Sequence, residues 1–176
     1  RAAIHRVTTP LPGSVPYDNR RPVNVPERFA GRTLIDFLSE WHPQIERETW
    51  RKKILDGHIL RVKKTSEERV SPEVSVLPGE RYEHLIPATI EPSVNADIEV
   101  LYEDDCLVVI NKPAPLPMHA CGRFNRNTLQ YILNEVYRDK YLRMAHRLDA
   151  STSGVAVFCQ TRDVARFVQP QFENRK

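Results

Sequence analysis

The chain has 176 residues, 40% of them apolar and 28% charged, with a formal net charge of +3; these are the proportions of a globular protein that can bury a core in one or two domains. No apolar run approaches the roughly 20 residues of a membrane span, and no signal-peptide pattern opens the chain. Three widely spaced cysteines (Cys106, Cys121, Cys159), and six histidines without His-x-x-x-His or His-Glu-x-x-His spacing, argue against a disulfide framework and against a bound metal; the cysteine usage fits a reducing cytoplasm.

Charge is unevenly distributed. Residues 1–64 hold 13 Lys+Arg against 7 Asp+Glu, and residues 65–176 hold 13 against 16, so the front is +6 and the back −3. A basic front suits a polyanionic partner, although a solvated surface gives the same count.

Residues 1–27 contain Pro10, Pro12, Pro16, Pro22 and Pro26 without a sustained period, and read as a disordered or linker tail. Leu34, Phe37, Leu38 and Trp41 then fall at helical spacing, and Pro43 closes that helix. A second helix fits Glu46 to Asp56, with Trp50 and Ile54 one turn apart, Gly57 as its stop, and Arg47, Arg51, Lys52 and Lys53 along it. Short strands are expected at Ile59–Val62, Arg69–Val70, Val74–Leu77 and Arg81–Ile86. These elements make a compact α+β module over 28–86, followed by a proline-bearing linker at 87–96.

The back part, 97–176, opens with an antiparallel hairpin of Ile98–Tyr102 and Cys106–Ile110 around Glu103-Asp104-Asp105. Cys106 and Cys159 lie in apolar runs and read as small core residues. Asn111 to His119 holds three prolines and is expected to cross extended and stiff. A helix fits Asn127 to about Arg138, capped by Asn127 with Gln130 in the capping-box position. The strand Gly154–Cys159, apolar at nearly every position, reads as covered on both faces. A last helix begins near Val164, and Pro170 is expected to kink or end it.

His146-Arg147-Leu148-Asp149, followed by Thr152-Ser153-Gly154, is the segment with chemistry in it. In an extended chain Arg147 and Asp149 share one face and His146 and Leu148 the other. A guanidinium beside Asp149 would keep the carboxylate ionised, as a nucleophile or base requires. A surface ion pair beside a turn has the same pattern.

Two resemblances bear on this. Gly31-Arg32-Thr33-Leu34, the run Trp50 to Ile59, and Leu77-Pro78-Gly79-Glu80 resemble the S-four-like (alpha-L) RNA-binding domain, with Arg61-Val62-Lys63-Lys64 in place of its usual Val-Asn-Gly turn. His146 to Gly154 resembles the His-Arg-Leu-Asp-x-x-Thr-Ser-Gly signature of RluA-type pseudouridine synthases. Asn111-Lys112-Pro113 through Leu116-Pro117-Met118-His119 resembles that family's upstream stretch, with Pro115 where the family usually has Gly.

The resemblance implies an α+β protein: a small alpha-L module followed by the front part of a mixed, mainly antiparallel synthase sheet. It implies isomerisation of uridine to pseudouridine in ribosomal or transfer RNA, without a cofactor, membrane or obligate protein partner. Asp149 matches the catalytic aspartate and Arg147 the arginine that fills the gap left by the flipped base. Thr152, Ser153 and Gly154 match the turn behind the aspartate; Asn111, Lys112 and His119 match the pocket wall and its approach, where scaffolding is an equal reading; His146, with Thr152 and Ser153, is also expected among the RNA-binding and base-flipping residues. RNA contact by Arg47, Arg51, Lys52 and Lys53 belongs to the front module. Family members continue through a Lys-x-Tyr segment that completes the pocket, with Arg175-Lys176 at its edge. The 176-residue chain alone is therefore expected to be inactive. The alternatives are a non-catalytic RNA-binding protein or an inactive fragment.

Overall fold

The computed structural model describes residues 2–174. In chain order the elements are α1 (Ala2–Thr8), β1 (Tyr17–Asn24), α2 (Leu34–Trp41), α3 (Arg47–Leu55), β2 (Ile59–Val62), β3 (Glu67–Arg69), β4 (Arg81–Thr89), β5 (Glu99–Glu103), β6 (Leu107–Lys112), α4 (Leu129–Val136), β7 (Arg143–Met144), β8 (Gly154–Cys159) and α5 (Arg162–Glu173). They form two compact units, a front unit over 18–89 and a back unit comprising 1–17 with 90–176. Both are mixed α+β with antiparallel sheets. Arg175 and Lys176, expected at the edge of a Lys-x-Tyr region, lie outside the described residues.

In the front unit the sheet order is β1-β4-β2-β3. Leu34, Phe37 and Leu38 of α2 are fully buried against Phe29, Trp50, Ile54, Ile59, Val76 and Tyr82. Thr33 starts α2 by accepting from the Asp36 amide at 3.2 Å, a cap worth about 1 kcal/mol. Gly57, at φ +79°, ends α3. The His58 amide returns to the Lys53 carbonyl and the Gly57 amide to that of Ile54, the paired bonds of a left-handed helix stop.

The back sheet runs β5-β6-β8-β7. Val108, Ile110, Ala156 and Phe158 present its buried face to Leu129, Ile132 and Leu133 of α4 and to Leu116, Met118 and Leu142. The β5–β6 turn is held by Asp104, whose Oδ1 accepts from the amides of Cys106 and Leu107 at 2.8 and 2.7 Å.

Several expectations need correction. Residues 1–27 are not an unpacked tail: α1 buries Ile4 in the back core, and β1 alternates buried Tyr17, Asn19 and Val23 with exposed neighbours. Pro10, Pro12 and Pro16 fall between these elements, and Pro22 is tolerated because β1 is an edge strand. The linker at 87–96 is in part strand, since β4 runs to Thr89. Val74–Leu77 is no strand; its backbone serves the start of α2, with the Leu34 amide on Val74 O and the Val76 amide on Arg32 O.

Helix α4 is capped by Thr128, which accepts from the Tyr131 amide at 3.2 Å. Asn127 instead accepts from the Gly13 amide at 2.7 Å and donates to Pro92 O at 2.9 Å. Pro170 does not end α5, because it sits in the last turns of a helix already seated through Val164, Ala165 and Val168. Cys106 is exposed at the turn, whereas Cys159 is buried. β7 was not foreseen; β8 is covered on both faces toward its Cys159 end, where Val157 and Cys159 pack with Ala165 of α5, while Val155 near its start is 53% exposed.

Candidate active site

The two chemistry-bearing segments meet at the paired ends of β6 and β8. In their antiparallel register Lys112 lies opposite Gly154 and Asn111 opposite Val155. Beyond that pair the chain 113–117 folds back on the turn that follows Asp149: the Leu116 amide donates to Ala150 O at 2.9 Å, and the Thr152 amide to Asp149 O at 3.1 Å.

Lys112 is the tie between them. It is 0% exposed, and its Nζ donates to the carbonyls of Leu116 (2.8 Å), Pro113 (3.0 Å) and Ala150 (3.4 Å). Burial pushes its pKa down, because desolvation disfavours the charged form. Three carbonyl dipoles offset part of that cost. An ammonium so placed cannot reach a ligand in solvent, so Lys112, one of the expected RNA contacts, is here a clamp on the loop and turn that carry Asp149.

From His146 to Asp149 burial alternates: His146 half-buried, Arg147 exposed, Leu148 half-buried, Asp149 exposed. This is the two-sided pattern of an extended chain. Leu148 packs on the back core. The His146 ring stacks on Phe172 of α5, with centroids 4.2 Å apart at 21°. Its Nε2 accepts from the Val157 amide at 3.3 Å, a bond that needs the ring's lone pair, and burial pushes its pKa down. His146 thus anchors the segment. Among the described residues no ion pair joins Arg147 to Asp149 and no hydrogen bond reaches the Asp149 carboxylate, so the expected charge partnership is not formed.

Thr152 and Ser153 are exposed beyond the turn, and Gly154 has φ +141°, a backbone that favours glycine. Asn111 is exposed on the sheet face opposite that of Lys112. His119 is half-buried in the stretch whose Pro117 and Met118 carbonyls accept from the first amides of α4, Leu129 and Gln130.

In the front unit, Arg47 pairs with Asp36 at 2.5 Å, and Arg51 with Glu73 at 2.6 Å and Glu48 at 3.8 Å. Lys52 and Lys53 form no ion pair among the described residues. Sequence reasoning missed Glu91. Buried in the supposed linker, it accepts from the amides of Asn125, Arg126 and Asn127 at 2.8–3.0 Å and from the Tyr17 hydroxyl. Those bonds hold its carboxyl below the usual range against the opposing effect of burial, and they lock the loop ahead of α4. Nothing in its sequence neighbourhood marks it.

Residues 106–176 match the family described as RNA pseudouridylate synthase. Among curated proteins the chain is 39% identical over 95 residues to Pseudouridylate synthase RPUSD2 of Homo sapiens, covering 54% of this chain and 16% of that protein. It is 27% identical over 151 residues to the mitochondrial tRNA pseudouridine(32) synthase of Saccharomyces cerevisiae, covering 85% of this chain and 31% of that one. A solved structure, Human RNA Pseudouridylate Synthase Domain Containing 4, is 37% identical over 43% of this chain and 30% of its own, with a TM-score of 0.36. The chain thus spans less than a third of each relative's length. The match to the RNA pseudouridylate synthase family falls on residues 106–176, the part of the chain that carries the clamped Asp149 turn.

Proposed function

We propose that this protein isomerises uridine to pseudouridine within RNA, with Asp149 as the catalytic carboxylate. One observation carries the reading: the buried Lys112 ammonium ties the Asn111-Lys112-Pro113 segment to the Asp149 turn, leaving the Asp149 carboxylate exposed on a braced backbone. A uracil stacked in RNA hides its glycosidic bond, so the nucleotide must leave the stack at a cost of a few kcal/mol. The exposed Arg147 beside Asp149 fills the vacated space and offsets part of that cost.

Asp149 then acts on the ribose or the ring. The bond from N1 to the ribose breaks, the uracil turns, and C5 bonds to the same ribose carbon. The C5 hydrogen leaves to solvent and N1 gains a proton, so atoms balance with no cofactor. The name of the yeast relative supports transfer RNA as one substrate class. Asp149→Asn should keep the fold and RNA affinity and abolish tritium release from RNA labelled at uridine C5. Release at the parent rate would remove Asp149 from this role.

A further inference from the structure

The front unit carries a cleft of about 560 Å³ between β1, β4, the end of α2 and α3, within the size range that holds small organic ligands. Its walls combine aliphatic side chains with a group of aromatic rings. Trp41, Trp50, His42 and His84 all line it, with the Trp50 and His84 rings 5.1 Å apart and those of His42 and Trp50 5.9 Å apart.

Trp41 stands at the end of the apolar stripe of α2, yet it is 40% exposed. Phe29 and Phe37 flank its ring, with centroids 6.0 and 6.2 Å away, and the Arg28 guanidinium lies over it at 5.3 Å, so the ring is fixed in place and still partly open. No Asp or Glu lines the cleft. Arg21 does, and its guanidinium forms no ion pair among the described residues, unlike neighbouring Arg20, which pairs with Glu67 and Glu83. The indole Nε1 of Trp50 and Nε2 of His84 are sealed from solvent without a hydrogen-bond partner, which is uncommon for buried polar atoms.

Flat aromatic surface, unpaired cationic charge and absent carboxylates together describe a site for a planar, anionic ligand. We propose that this cleft binds one nucleotide, its base stacked on Trp41 and its phosphate paired with Arg21. Stacking of this kind tolerates any base. The inference rests on the RNA reading for the nucleotide's source, an unpaired residue of the bound RNA; a free nucleoside monophosphate offers the same chemistry.

The chain's two tryptophans, Trp41 and Trp50, both line the cleft, so in the folded protein tryptophan emission reports on its occupancy. The full chain is titrated with a short oligouridylate and, separately, with UMP, while anisotropy of the labelled oligouridylate follows RNA binding independently. Saturable quenching is expected, with its midpoint weakened roughly tenfold by Trp41→Ala and by Arg21→Gln; circular dichroism confirms that each variant is folded, and Arg21, at the surface, is the gentler change. Quenching by oligouridylate alone supports an RNA residue as the source, and equal quenching by UMP supports a free nucleotide. RNA binding without quenching, or quenching indifferent to both variants, overturns the cleft and leaves the isomerase reading standing. Quenching by UMP with no RNA binding overturns the RNA source only, and neither signal overturns both.

Discussion

Lys112 is buried and Asp149 exposed, and under the proposed function the first positions while the second reacts. Lys112→Met removes a buried ammonium and strands three carbonyls that it now satisfies. It should destabilise the back unit by about 2–4 kcal/mol, since breaking one side of a buried charged hydrogen-bond set leaves the other side unpaired. Asp149→Asn, at an exposed position with no bond to lose, should move stability by no more than about 0.5 kcal/mol. Chemical denaturation of both variants checks this. A Lys112→Met midpoint equal to that of the parent would mean the clamp is dispensable. The two short motifs that hold these residues were legible in the sequence. Their division of labour was not, because the bond from Lys112 to Ala150 joins positions 38 apart.

At the scale of elements, α3 carries four basic residues, but its surface is less cationic than its sequence. Arg47 and Arg51 already face Asp36 and Glu73, which come from α2 and from the loop before β4. Exposed ion pairs are weak, yet an arginine must give up its carboxylate before it neutralises a phosphate. Lys52 and Lys53 carry no such cost. Replacing Lys52 and Lys53 with Gln should therefore lower the slope of log affinity against log salt by roughly 0.7–0.9 per lost phosphate contact. The Arg47→Gln, Arg51→Gln pair should lower it less. Fluorescence titration across a salt series measures both, and equal losses from the two pairs would contradict the ranking. The same contrast shows what periodicity conveys: α2 and α3 were readable because burial repeats every 3.6 residues, whereas Glu73 is assigned to Arg51 only by folding. Likewise Asn127 looked like the cap of α4, but Gly13 and Pro92 claim its side chain from far along the chain and Thr128 takes the cap. The N-terminal 27 residues misled for a related reason. Their prolines mark joints, while the isolated apolar residues Ile4, Tyr17 and Val23 gain meaning only from distant partners.

For the whole molecule, the division into a front and a back unit makes a prediction about acid, because the depressed histidines fall on both but the largest printed shift is in the front. His84 is 9% exposed and is pushed down from its ordinary 6.5 to about 4, first by burial and then by the charges of Lys53, Arg21, His42 and His58. Above pH 6.5 the ring is neutral in both folded and unfolded chains, so it contributes no pH dependence. Between pH 6.5 and 4 the unfolded chain binds the proton and the folded chain does not, so stability falls as pH falls, by on the order of 3 kcal/mol before levelling off below pH 4. His42, also depressed by burial, adds in the same direction. Carboxylates held below their usual range by ion pairs and hydrogen bonds in this unit, Asp36 and Glu73 among them, act only at lower pH, as they begin to protonate. His84→Phe keeps an aromatic ring against Trp50 and removes the titration. With both tryptophans in the front unit, urea midpoints read by tryptophan emission should fall between pH 7 and pH 4.5 in the parent and fall markedly less in His84→Phe. Identical pH profiles for the two proteins would show that the buried imidazole is not what makes the front unit sensitive to acid.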